Sequence, residues 1–188
     1  MSKKYTKHYG DRLVDCVRAF DWASVEKLVR KMLSVRKAAG QVFLCGNGGS
    51  AANAMHIAND LSYLGSKVSG RGIRAVALPA NQSVLTCLAN DTGYENIFAF
   101  QLRNLGRKGD VLIALSGSGN SPNVLKAVAA AADMGIWTCA ILGFDGGRCL
   151  EMADVALHFP VNDMQIAEDL QLVTGHMVMQ RLMEEGVG

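Results

Sequence analysis

Apolar residues in the first 39 positions recur at helical intervals: Leu13, Val14, Val17 and Phe20, then Val25, Leu28, Val29, Met32 and Leu33. The pattern predicts two helices ahead of any strand, with Asp21 or Ser24 available to cap the second. The pattern then changes. Short continuous apolar runs, at 41–45, 73–78, 110–115, 137–142 and 155–159, read as strands buried on both faces. Helix-forming stretches separate them. Ser50 opens one over 51–64, Asn81 caps a short one ending near Asn90, and 94–105 is a third. Pro122, tolerated in a first turn, opens 123–134, and a strongly apolar stretch over 164–185 closes the chain. Gly65–Arg71 and Gly143–Gly147 read as connecting loops.

Strands that alternate with helices predict an α/β fold, a three-layer αβα sandwich around a five-stranded parallel sheet with two helices in front. A chain of 188 residues suits one domain over 1–188, with 1–39 for packing and oligomerisation and 40–188 as the sheet-and-helix core. The opening helices and the apolar last helix carry more hydrophobic surface than one sheet needs, which predicts a homo-oligomer.

Composition removes several functions. The net charge is +2, which gives no electrostatic case for nucleic acid or an anionic membrane. Cys16, Cys45, Cys87, Cys139 and Cys149 are scattered singly, as expected of small core residues in a reducing compartment. No apolar stretch reaches the roughly 18 residues of a membrane span, so the expected location is the cytoplasm.

Two loops carry the chemical signal. Gly46-Asn47-Gly48-Gly49-Ser50 follows the first strand, and Ser116-Gly117-Ser118-Gly119-Asn120-Ser121 follows the third. Glycines let backbone approach a ligand, and hydroxyls and free helix-start N–H groups donate to an anion. Two such loops at strand ends point to a phosphoester. His56 and Asp60, at i and i+4 on the helix after the first loop, share a face. Together they suit a divalent metal, acid–base work, or only a surface helix pair. His176 lies among Leu172, Val173, Met177 and Val178, a setting common for a core histidine. Asp169 lies close to its helical face and Glu168 about 80° round, so spacing slightly favours Asp169. Asp91 sits in a turn between two predicted helices, where an acidic residue serves as a cap.

Three stretches, Cys45–His56, Ala89–Phe98 and Gly109–Val124, resemble a sugar isomerase (SIS) domain, and within that superfamily the phosphoheptose isomerases. The resemblance implies that Ser50, Ser116, Ser118 and Ser121 bind the phosphate, with the loop backbone at Asn47, Gly48, Gly49 and Gly117 alongside. It also implies that Asp91 faces the sugar. Gly117 stands where the family has Thr, and Leu64 where it has an arginine near the sugar. It implies one zinc ion per subunit among His56, Asp60, Glu168 and His176, and a homotetramer. Asp60 replaces a family Glu and Glu168 a family Gln, so two carboxylates stand where the family has one. The activity implied is aldose–ketose isomerisation of sedoheptulose 7-phosphate through an enediolate. Asp60 or Glu168 would move the carbon proton, His176 would serve the oxygens, and His56 would be a ligand or an orienter. The alternative is a non-catalytic SIS protein that binds a phosphosugar or a protein partner, as the replication-initiator-binding branch does. That branch lacks the acidic residue and last-helix histidine that Asp60 and His176 supply here.

Overall fold

The computed structural model describes residues 2–69 and 72–185, with side chains over 6–63 and 72–185. The two opening helices are α1 (Ser2–Ala19) and α2 (Ala23–Lys37). Asp21 accepts from the Ala23 N–H at 3.0 Å, so it supplies a bond at the start of α2 although Trp22 holds the cap position. The core follows as β1 (Gln41–Cys45), α3 (Gly48–Ser69), β2 (Arg74–Ala77), α4 (Gln82–Thr92), α5 (Ile97–Leu105), β3 (Val111–Ser116) and α6 (Pro122–Asp133). It ends with β4 (Trp137–Leu142), α7 (Cys149–Met152), β5 (Val155–His158) and α8 (Met164–Glu185). Asn81 caps α4 as expected, accepting from the Val84 N–H at 3.1 Å. Three expectations change. Helix α3 begins at Gly48 and runs on to Ser69 through Gly65, a 3-10 turn over Tyr94–Asn96 precedes α5, and the short α7 was not foreseen.

All five strands are parallel, in the order β2-β1-β3-β4-β5. The strand alternation divides the core in two. Val42, Leu44, Val111, Ile113 and Leu115 face α2, α3 and α8, whereas Phe43, Cys45, Leu112 and Ala114 face α4, α5 and α6. The sheet is therefore covered on both faces. The apolar surface of α8, expected to seek a second subunit, is largely used within the chain: Ile166, Leu170, Val178, Met179 and Leu182 join the α2–α3 core. Cys45, Cys139 and Cys149 are buried free thiols, and burial pushes Cys139 up to about 12. No helix among the described residues is long and apolar enough to cross a membrane.

Helix α1 docks on α8 through Tyr9, whose hydroxyl donates to Asp169 at 2.6 Å, and through the Arg12–Asp163 ion pair at 2.8 Å. Burial and then the Asp169 hydrogen bond push the Tyr9 phenol up to about 12. A raised pKa means that folding favours the protonated phenol. Its contribution is complete below the ordinary value near 10 and is lost as pH rises towards 12. The melting-point difference between wild type and Tyr9→Phe is expected to be constant below pH 9 and to shrink above about pH 10. A difference that holds to pH 12 contradicts this docking.

Candidate functional site

The order of the sheet reverses between β1 and β3, and the loops after these strands lie side by side at their carboxyl ends. The loops meet without a spacer. A Cβ on Gly46 would stand 2.8 Å from the Ser50 carbonyl and 2.9 Å from the Leu115 carbonyl oxygen. A reciprocal amide pair then bolts them together. Asn47 Nδ2 donates to Asn123 Oδ1 and Asn123 Nδ2 donates to Asn47 Oδ1, each at 2.8 Å, and Tyr94 donates to the same Asn47 oxygen at 3.0 Å. The Asn47 carboxamide is thus a strut of the cradle, with little capacity left for a ligand.

The second loop is shaped in advance. Ser116 Oγ, buried, accepts from the Gly119 N–H at 3.0 Å, and Ser118 Oγ from the Asn120 N–H at 3.3 Å. Both hydroxyl protons remain to be donated elsewhere. Ser121 stands before α6 in extended backbone and makes no side-chain cap bond, so its hydroxyl is not spent on the helix. The loop after β4 pins the assembly: Gly143 N–H donates to Gly117 O, Arg148 N–H to Asn120 Oδ1 and Cys149 N–H to Gly119 O, at 2.9–3.0 Å. A side chain at Gly117 would meet Met164 Sδ, so Met164 fills the room that a family threonine needs.

Gly48, Gly49 and Ser50 form the first turn of α3, which faces the cradle with its free N–H groups. The Glu168 carboxylate lies over this turn, where a Cβ on Gly49 would collide with it. Helices α3 and α8 run in the same direction. Asn53 meets Glu168 O and Gln171, and a Cβ on Gly175 would stand 2.7 Å from Ile57 Cγ1. This close approach brings His56 and His176 together. Their Nε2 atoms are 3.0 Å apart, and Asp60 Oδ2 lies 3.4 Å from His56 and 3.7 Å from His176. The imidazoles are half exposed, at 49% and 51%, while the carboxylate is 11% exposed, so the cluster opens to solvent from a buried base.

These three residues are a candidate metal group. Zinc bonds of about 2.0–2.1 Å in a tetrahedron place neighbouring donors about 3.3 Å apart, and His₂Asp leaves the fourth position open as catalytic zinc requires. The observed 3.0, 3.4 and 3.7 Å separations fit that ion. Of the four side chains expected to surround the ion, the structure brings these three together; Glu168 sits two helical turns before His176 and meets Gly49. Asp169, the other candidate beside His176, is engaged by Tyr9. Asp91 also moves from its expected place: it lies in the last turn of α4, where Asn90 Nδ2 donates to it at 2.7 Å and Cys87 Sγ at 3.5 Å. The side chain of Leu64 lies outside the described residues. Asn53, Tyr94, Asn123 and Gln171 were not singled out from the sequence. Gln171 carried one signal, a polar residue inside an apolar helical run.

An apolar hollow lined by Val76, Val84, Leu88, Phe100 and Leu105 lies between α4 and α5 and contains no residue of the twin loops or of the His56–Asp60–His176 cluster.

Comparison with known proteins places the chain in a family. A family model described as the SIS domain matches residues 4–143. The phosphoheptose isomerase of Helicobacter pylori (strain P12) is 39% identical over 156 residues, 82% of this chain and 80% of that protein. That of Aliarcobacter butzleri (strain RM4018) is 39% identical over 158 residues, 83% of this chain and 82% of that one. Among solved structures, the phosphoheptose isomerase of Neisseria gonorrhoeae superposes with a TM-score of 0.89 at 30% identity, covering 97% of this chain and 98% of that chain. The Francisella tularensis phosphoheptose isomerase gives 0.90 at 25% identity, covering 98% and 99%. The chain belongs to the SIS-domain family and, within it, to the phosphoheptose isomerase branch of isomerases.

Proposed function

We propose that the protein interconverts sedoheptulose 7-phosphate and D-glycero-D-manno-heptose 7-phosphate, holding the phosphate in the twin loops and reacting at the His56–Asp60–His176 cluster. The separation of the two parts carries this reading. Gly49 and His56 are seven positions apart along α3, a rise of about 10 Å. Gly49, Ala52 and His56 are all exposed along that path, and Glu168, Leu172 and His176 line the facing side of α8. From carbonyl carbon to phosphorus, an extended heptulose 7-phosphate measures about 9 Å and a pentulose 5-phosphate about 6 Å, given single bonds of about 1.5 Å. The longer sugar reaches from one part to the other.

In the proposed reaction, Asp60 takes the proton from C1 of the ketose, beside the C2 carbonyl. His176 moves the O1 hydroxyl proton to O2, and Asp60 then returns its proton to C2, leaving a C1 aldehyde. His56 fixes the orientation of the carboxylate, whose other oxygen accepts from Asn59 Nδ2 at 3.3 Å. Zinc held by His56, Asp60 and His176 would supply Lewis-acid stabilisation of the enediolate oxygen. The phosphate contributes binding energy at a distance from the reacting carbons and positions them. A homotetramer in the cytoplasm completes the reading, and the exposed Phe100 and Leu105 beside the α4–α5 hollow offer an apolar surface for a subunit contact.

Product formation followed by NMR tests the substrate. The heptulose 7-phosphate is expected to turn over at least tenfold faster than a pentulose 5-phosphate at equal concentration. The reverse order sinks the proposal.

Glu168 gives a second expectation. Its carboxylate shares the first turn of α3 with the incoming phosphate, and like charges there repel. Glu168→Gln is expected to tighten inhibition by inorganic phosphate about three- to tenfold, or about 0.7–1.4 kcal/mol. Unchanged or weaker inhibition contradicts this placement of the carboxylate.

A further inference from the structure

Beneath the cradle lies a chain of buried amides that ends on Ser50. Gln171 is 1% exposed, and its Nε2 donates to Ser50 Oγ at 3.0 Å. Its Oε1 accepts from Asn53 Nδ2 at 2.9 Å, and the same Asn53 nitrogen donates to the Glu168 carbonyl at 2.9 Å. Asn53 is 8% exposed and Ser50 4%. Buried polar groups are retained where they are satisfied, and a satisfied network holds one geometry.

The polarity of this chain matters more than its existence. A serine hydroxyl has one proton and two lone pairs. The Asn53 nitrogen donates to the Gln171 oxygen, which fixes the Gln171 carboxamide with its nitrogen towards Ser50. Ser50 therefore acts as acceptor on its buried side. Its single proton has no use there and turns to the cradle, where the free N–H groups of the first turn of α3 already point.

We propose that Gln171 is the positioning residue of the phosphate site: it makes Ser50 an obligate donor to the bound anion. It touches no substrate atom, and its effect passes entirely through the Ser50 hydroxyl. The inference rests on the reading of the twin loops as a phosphate cradle.

Gln171→Glu is the direct probe, because a carboxylate at this position accepts from Ser50 instead of donating to it and so withdraws the proton. Gln171→Met, close in volume and without hydrogen bonds, is the second probe, in case a buried charge impairs folding. Calorimetric titration with inorganic phosphate on the full-length wild-type protein and on both variants, alone and combined with Ser50→Ala, reads the effect. The dissociation constant is expected to rise about tenfold in Gln171→Glu and about threefold in Gln171→Met. Gln171→Met should not weaken binding further once Ser50 is Ala, whereas Gln171→Glu keeps only the part of its loss that repulsion between its charge and the anion causes. Equal affinity in wild type and both variants, or a Gln171→Met loss that adds fully to that of Ser50→Ala, overturns the inference, because a packing role alone would not require the hydroxyl. Phosphate that fails to bind the wild type overturns the cradle reading as well. Loss of isomerase specificity with the binding pattern intact leaves the inference standing and strikes only the assigned substrate.

Discussion

Asp60→Asn is expected to lower turnover of the heptose phosphate by about 10²–10⁴-fold, the range over which a positioned acid–base group acts. The substitution is nearly isosteric and its site is only 11% exposed, so the packing of α3 against α8 should survive. The amide keeps an oxygen towards the imidazoles but cannot take a proton from carbon. It also removes the one negative charge among the three clustered donors, so zinc affinity should fall at least tenfold. Steady-state rates and zinc titration, with circular dichroism as the folding control, measure both effects. Wild-type turnover in Asp60→Asn removes the carboxylate from the reaction. If Glu168→Ala then abolishes turnover, the group over Gly49 carries the carbon proton instead.

The second large effect concerns the fold at the cradle. In Gly46→Ala the new methyl meets the Ser50 carbonyl at 2.8 Å and the Leu115 oxygen at 2.9 Å. All of these are backbone atoms, in the first turn of α3 and near the end of β3, so no side chain can swing aside. Relief requires β1 and β3 to part at their carboxyl ends or α3 to shift. Overpacking of this kind costs about 1–3 kcal/mol, which for a chain of this size lowers the melting point by roughly 2–12 °C. Phosphate binding should fall too, because the Asn47–Asn123 pair spans the same gap. Gly10→Ala is the control: a Cβ there meets nothing within 4 Å, and a helical Ala is favoured over Gly. A melting point for Gly46→Ala equal to that control would contradict the close approach of the loops.

Much of the architecture was legible because local signals and the sheet period agree. β4 and the closing helix fall where the apolar runs predict, over 137–142 and 164–185, with Pro160 marking the end of the last strand. The boundaries of α3 differ for a local reason. Gly48 and Gly49 read as loop residues, yet the first turn of a helix tolerates them because its N–H groups have no intrahelical partners. At the other end, Gly65 did not terminate the helix, since one glycine costs a helix only about 1 kcal/mol.

The site divides in the same way. His56 and Asp60 share a helical face by spacing, and the link to His176 needed only the family pattern. Glu168 could not be placed from spacing along α8, because what it meets depends on the register of α8 against α3. That register is set by Gly175 against Ile57 and by Asn53 against Gln171. It puts the carboxylate opposite Gly49, two turns from the cluster. That the Asn47 side chain is a strut was hidden from the sequence for a similar reason. Its partner Asn123 lies 76 residues away, and no local pattern joins them.

The most direct measurement is solvent isotope incorporation. The protein is incubated with sedoheptulose 7-phosphate in deuterated water, and the sugar carbons are read by mass spectrometry and NMR. A proton shuttled by Asp60 through an enediolate exchanges with solvent, so deuterium is expected at the carbon beside the carbonyl, at a rate that falls with turnover in Asp60→Asn. Conversion without deuterium at that carbon, or no incorporation into any heptose or hexose phosphate, would contradict the account.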